Sequence, residues 1–223
     1  MNRASRSTEK FKSIFVAVAL LFALTAFCAC NPQQPAGDNG KPSAYTVNTE
    51  FPEEFSGFLH GKKLYVTSLG QSGDINKIQQ YINGENIDAV CGNFLPADEI
   101  EENSVLFLVV GCSIKGMAEN GVTPDSEIYR AEQYVTTARQ RNVSVIAWHI
   151  GGPSRRGYTS DTLIEYVFGQ ADLDLFTASG NLINDTHDLS DWAVESERAY
   201  CQLADLSVIP DILRNLAGGD DND

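Results

Sequence analysis

The chain of 223 residues is short of positive charge and histidine and has no clustered cysteines. Each shortage removes a class of function. Its 16 lysines and arginines face 30 acidic residues, for a formal net charge of −14. A surface of that sign repels phosphate backbones and anionic lipid, which excludes nucleic acid as a partner. There are only three histidines, His60, His149 and His187, too scattered for metal-ligand spacing. Beyond the first 30 residues the cysteines are Cys91, Cys112 and Cys201. They form no CxxC pair, and an odd set cannot pair fully, so they are expected as small buried hydrophobes with free thiols. The Walker spacing GxxxxGK[ST] and the nucleophile-elbow pattern GxSxG are both missing, as is any internal repeat. No cofactor is implied. Only SLGQSGD, which superficially resembles a flavodoxin phosphate loop, points faintly towards a flavin.

What positive charge there is starts early. Arg3, Arg6, Lys10 and Lys12 precede an uncharged apolar run from Ser13 to Cys30 that ends in Phe27-Cys28-Ala29-Cys30. The run is a little short of the about 20 residues of a membrane span. A basic start, an apolar middle and a small residue before the cut make an export signal. A cysteine at the cut resembles the lipobox of bacterial lipoproteins. Cys30 is the expected lipidation site because Ala29 precedes it; Cys28 follows the bulky Phe27 and fits less well. The alternative is an uncleaved anchor helix. Either way the domain is expected outside the cytoplasm, tethered to the bacterial cell membrane. Loss of residues 1–30 takes away four basic residues and one acidic one, which moves the charge to −17. Residues 31–49, rich in Pro, Gly, Asn and Gln, form a flexible tether. Residues 50–217 are expected to form one α/β domain, and 218–223 an acidic tail.

Within the domain, strand and helix signals alternate. Lys63–Ser68, Ile87–Cys91, Val105–Gly111, Val143–Ile150 and Leu173–Ala178 are strand candidates, and Val105–Gly111 is apolar enough to be buried on both faces. Asp74–Ile82 places isoleucines at helical spacing. Thr123-Pro124-Asp125 opens the longest helix, with Ile128, Ala131, Val135 and Ala138 on its stripe. Ser160 is expected to cap a helix carrying Leu163, Ile164, Val167 and Phe168. Helical signals recur around Asp191–Glu197, and Cys201–Leu216 suggests a short strand and a closing helix. This alternation predicts a three-layer, doubly wound α/β fold around a parallel sheet of about five strands, in the flavodoxin-like order 2-1-3-4-5.

In such a sheet the loops after strands one, three and four meet at the carboxyl edge, where ligands bind. Those are the least ordinary segments of this chain. After strand one, Gly70, Gln71, Ser72 and Gly73 precede a helix N-terminus. After strand three, Ser113, Lys115 and Gly116 suggest a long loop that could hang an ammonium over the crevice. After strand four, HIGGPSRRGYTSD brings Gly151 and Gly152, which let backbone approach a ligand, and two adjacent arginines able to grip a carboxylate or phosphate. Adjacent side chains rarely point the same way, so one of Arg155 and Arg156 is expected in the site and the other on a surface carboxylate. Asn181 and neighbouring Asn/Asp residues after strand five could line the far rim. Cys112 or Ser113 with His149 and Asp161 supplies the ingredients of acyl transfer.

The runs TSLGQSGD, VVGCSIKGMAENGV, HIGGPSRRGYTSD and FTASGN resemble the signature loops of an uncharacterised family of exported bacterial α/β domains. The resemblance spans roughly Leu64 to Asn181, and the arginine loop is its most specific part. It implies a Rossmann-like fold and shared site positions: Gly70, Gln71, Ser72, Ser113, Lys115, Gly116, His149, Gly151, Gly152, Arg155, Arg156, Gly157, Ser160, Asp161, Ser179 and Asn181. It implies no reaction. The chain departs from the pattern at Met117–Asn120, where smaller residues are expected, and after Asn181, where it is longer and more acidic. The leading expectation is a lipid-anchored protein that binds a small anionic metabolite, a carboxylate or phosphate. A hydrolase using Ser113 or Cys112 with His149 is the alternative from enzyme chemistry, and a protein-interaction module the alternative from surface charge.

Overall fold

A computed structural model describes residues 50–181 and 188–219. The expected export signal with Cys28 and Cys30, the expected tether, His187 and the end of the acidic tail lie outside the described residues. Six strands form one fully parallel sheet: β1 (Leu64–Leu69), β2 (Ala89–Gly92), β3 (Val105–Val110), β4 (Ser144–His149), β5 (Leu173–Thr177) and β6 (Tyr200–Leu203). Their order is β2-β1-β3-β4-β5-β6. The expected five-strand order is present, and β6 extends it by one strand beside β5, in register Asp174–Tyr200 to Thr177–Leu203.

Helices cover both faces, so the fold is doubly wound. On one side α1 (Asp74–Gly84) and α7 (Ile209–Ala217) pack on Val66, Phe107, Trp148 and Leu175. On the other, α2 (Ile114–Glu119), α3 (Pro124–Gln140), α4 (Tyr158–Phe168) and α6 (Leu189–Glu195) contribute to the core around Leu106, Leu108, Val145 and Phe176. The short α5 (Ala178–Asn181) follows β5 directly. Successive strand residues point to opposite faces. In β3 this sends Val105, Phe107 and Val109 into one core and Leu106, Leu108 and Val110 into the other, which is why that run is apolar throughout.

Local chemistry sets the helix ends. Thr123 and Ser126 bond reciprocally in a capping box at the start of α3, with Pro124 in the first turn. Two expectations need correcting. Ser160 does not cap α4; the cap position is Gly157 (φ +129), and Ser160 is the helix's third residue. The Asp161 carboxylate turns back to accept from the Gly157 amide at 3.2 Å, which moves the start three residues upstream. Gly218, placed in the acidic tail by composition, closes α7 in the left-handed conformation (φ +77). Cys91, Cys112 and Cys201 form no disulfide among the described residues. β1 separates the strand of Cys91 from that preceding Cys112, and Cys201 lies on the opposite edge strand.

Candidate functional site

The switch point between β1 and β3, where a Rossmann-like sheet usually opens for its ligand, is closed here by main-chain pairing. The Gly111 amide donates to the Leu69 carbonyl and the Ser113 amide to Gly70, at 3.0 and 2.8 Å. Gln71 and Cys112 form an isolated antiparallel bridge. Only glycine permits this approach: a Cβ on Gly70 would lie 2.6 Å from the Gly111 oxygen, and one on Gly116 2.3 Å from the Gln71 oxygen.

The polar residues of the first loop therefore turn inward. Gln71 sits in the left-handed region (φ 58). Its amide nitrogen donates to Glu127 at 3.3 Å, and its oxygen accepts from Asn120 at 3.5 Å. Glu127, fully buried on α3, also accepts the Gly70 amide at 2.6 Å and pairs with Arg130 at 2.6 Å. Arg130 donates onward to the carbonyls of Ser68 and Asn93. The sequence reading missed this Glu127–Arg130 anchor. Its signal was a carboxylate four residues before Ala131 on an otherwise apolar helical stripe. The Ser72 hydroxyl is buried and accepts from the Asp74 amide at 3.4 Å.

Lys115 also departs from expectation. It lies on α2 rather than in a long loop, because the Ser113 hydroxyl caps that helix by accepting from the Gly116 amide at 3.1 Å. Its ammonium is 3.6 Å from Glu119, and the side chain is 85 % exposed.

The two arginines diverge as expected, but the carboxylate that takes one of them is buried. The Arg156 side chain is only 2 % exposed; its Nε donates to Asp161 at 2.6 Å and its Nη1 to the Gly180 carbonyl at 2.6 Å. It locks the start of α4 to α5, just past the end of β5. Arg155 is half-buried, donates to the Cys112 carbonyl at 3.4 Å, and has no carboxylate partner among the described residues. It faces a cleft of about 450 Å³ between α2 and the start of α4, whose walls include Cys112, Ser113, Lys115, Ser154, Arg156 and Gly157–Ser160. The Ser160 hydroxyl ties the walls together by accepting from the Cys112 amide at 3.1 Å. Ile114 and Tyr158 are among the most exposed large apolar side chains, at 83 % and 88 %.

So the structure gathers Ser113, Lys115, Arg155, Arg156 and Ser160 around one cleft. Gly70, Gln71, Ser72 and Gly116 form the packed seam behind it. Gly152 approaches Ser179, and Asn181 exchanges hydrogen bonds with Ser190 at 2.9 Å that dock α6. A second hollow, slightly smaller at about 430 Å³, lies between α3 and the Phe94–Asp98 segment. It lies beside the carboxyl end of β2, and none of the glycine-rich loops lines it.

His149 is fully buried at the end of β4. Its Nδ1 is 2.9 Å from the Val110 carbonyl, which can only accept, so Nδ1 carries the proton and Nε2 the lone pair. Burial is the main reason its pKa falls to about 4, with Arg156 adding to the effect. Neither proposed nucleophile is hydrogen-bonded to this ring: the Ser113 hydroxyl caps α2, and Cys112 Sγ is 3.6 Å from the Thr159 carbonyl. Burial also pushes the Cys112 thiol above its usual pKa, away from the reactive thiolate.

A family model described as a domain of unknown function, DUF6305, matches residues 61–215, a span that holds all six strands and the cleft. The chain belongs to the DUF6305 family. None of the curated proteins matches it. The DUF6305 region ends within α7, so both faces of the sheet and the buried Arg156–Asp161 lock lie inside the family's span.

Proposed function

We propose that this DUF6305 domain is the outward-facing part of a bacterial lipoprotein, anchored through Cys30, and that it binds a small anionic metabolite in the cleft beside Arg155. One observation carries the reading. In a chain of net charge −14, Arg155 keeps its guanidinium at the cleft with no carboxylate partner among the described residues. The first turn of α4, which lines the same cleft, adds the partial positive charge of a helix N-terminus. A carboxylate or a phosphate suits both. The loops TSLGQSGD, VVGCSIKGMAENGV and HIGGPSRRGYTSD then divide into two roles: Arg155, Ser113 and Ser160 at the cleft, and the glycines, Gln71 and Arg156 in the frame that holds it.

The test is a thermal-shift screen of carboxylates and phosphorylated compounds on the wild type and on Arg155→Ala. Some anion should raise the midpoint of the wild type and not of the variant. Arg156 is left intact, because its removal would unfold the frame rather than empty the site. If every anion shifts both proteins equally, or none shifts the wild type, the reading falls, and an interaction module acting through the acidic surface takes its place. The anchor has its own test: a palmitate analogue should label the wild type in cells and fail to label Cys30→Ala.

A further inference from the structure

Behind the cleft lie two hydrogen-bond acceptors for which the described residues supply no donor. Asp74, the first residue of α1, is 6 % exposed. Its Oδ1 meets Lys77 at 3.1 Å, while its Oδ2 is buried without a partner. His149 presents Nε2, a lone pair by the tautomer argued above, equally buried and equally without a partner. Leaving a buried acceptor unsatisfied costs about 1–3 kcal/mol, and more when it is charged. Such groups in a native protein call for an explanation, and a ligand role is one of the few.

Three glycines, at the ends of β3 and β4 and within α5, let the backbone close tightly around these atoms. A Cβ on Gly111 would approach Ser72 Oγ to 3.6 Å and His149 Nδ1 to 3.8 Å; one on Gly180 would come within 3.1 Å of His149 Nε2. The position that a Gly151 Cβ would take is 3.1 Å from Asp74 Oδ2 and only 2.4 Å from Arg155 Cγ. The stem of the cleft arginine thus lies over Gly151, directly beside the orphaned carboxylate oxygen. The same side chain that offers a cation to the cleft also covers an acceptor, and its one hydrogen bond, to Cys112, is long at 3.4 Å.

We propose that the anion bound at Arg155 is a 2-hydroxy or 2-amino carboxylate: a hydroxyl donates its one hydrogen to Asp74 Oδ2, and an ammonium donates to Asp74 Oδ2 and His149 Nε2. On binding, the outer stem of Arg155 swings with the carboxylate away from Asp74, and the donor next to that carboxylate takes the uncovered Oδ2. A site of acceptors alone rejects a ligand lacking the donor, because the buried groups then stay unpaired. The inference rests on the anion reading above and narrows it to one class.

The experiment is titration calorimetry of the full chain in detergent with matched acids of two to six carbons. Each 2-hydroxy acid and each 2-amino acid is compared with its unsubstituted counterpart, as lactate and alanine are with propionate. At least one substituted acid should bind ten or more times as tightly as its parent. Which arm shows the preference tells hydroxyl from ammonium. Asp74→Asn places an amide nitrogen where the acceptor was. It should reduce the ratio below threefold, with the parent acid's affinity unchanged; Arg155→Ala should lose both. Equal binding of substituted and parent acids by the wild type overturns the donor inference and leaves the anion reading standing. So does a preference that survives in Asp74→Asn. If no acid binds at all, the two fail together. The wild-type ratio decides the matter by itself should Asp74→Asn not fold.

Discussion

Replacing Asp161 by Asn tests how the arginine loop is held. The substitution keeps the size of the side chain and removes its charge. Arg156, 2 % exposed and 2.6 Å from that carboxylate, is then left as a buried cation. Removing one member of a buried ion pair costs about 3–5 kcal/mol, mostly from the partner's uncompensated charge. The weaker acceptor at the Gly157 amide, now 3.2 Å from Oδ2, adds to the loss. For a domain of this size each kcal/mol lowers the melting temperature by about 2–4 °C, so a fall of roughly 6–20 °C is expected. Urea unfolding at pH 7 gives the free energy directly. Arg156→Met, alone and combined with Asp161→Asn, completes a double-mutant cycle. Removing both charges should cost much less than the sum of the single changes, by about 2 kcal/mol or more. A loss below about 1 kcal/mol for Asp161→Asn, or a cycle that adds up, would refute the buried lock.

Three further outcomes follow from other parts of the molecule. The pKa of His149 in the fold, about 4 against 6.5, means that the unfolded chain takes up this proton first; the stability His149 contributes therefore falls as pH drops from 6.5 towards 4, by about 3 kcal/mol. Non-titrating His149→Asn should lose that slope, and a variant whose unfolding curves keep the wild-type slope would contradict it. Asp174 works the other way: fully buried, with Arg198 3.8 Å away but no hydrogen bond to either oxygen, it has its pKa pushed well above 3.8 by burial, so it favours folding at low pH and loses that contribution as pH rises through its folded pKa. Asp174→Asn should thus be more stable than wild type in urea at pH 7, with the gain fading towards pH 4. Gly116→Ala drives a methyl group into the Gln71 carbonyl and should cost about 1–3 kcal/mol, whereas Gly73→Ala, with nothing within 4 Å, should cost little; equal effects in denaturant would undo the packed-seam account.

The fold was legible wherever one strand or helix carried its own pattern. Val105–Val110 announces a two-faced strand, and Thr123-Pro124 a helix start. β6 was ambiguous because its four residues YCQL include a glutamine and a tyrosine, and its place is set by pairing with β5. The edge strand β2 begins two residues later than its apolar run, since Ile87 belongs to the turn that closes α1. For the site, the strand order was enough to bring the three loops together. The closure of the switch point was not legible, because it needs the Gly70 and Gly111 backbones, 41 positions apart, to touch. Nor was the choice between the arginines: it depends on Asp161 turning back from the first turn of α4. The Ser160 expectation failed for the same reason.

The seam between β1 and β3 makes the two walls of the cleft mechanically unlike. The α2 wall is sewn through Gln71 to Glu127 and so to the longest helix, and its amides can exchange with solvent only if that helix loosens. The facing wall opens with a single turn, Pro153–Arg155, between Gly151-Gly152 and Gly157, and runs on into the first turn of α4. Hydrogen exchange should therefore be slow on one side and fast on the other. Whatever enters meets a fixed anvil and a yielding jaw, and its shape is read by how far the turn between those glycines must travel.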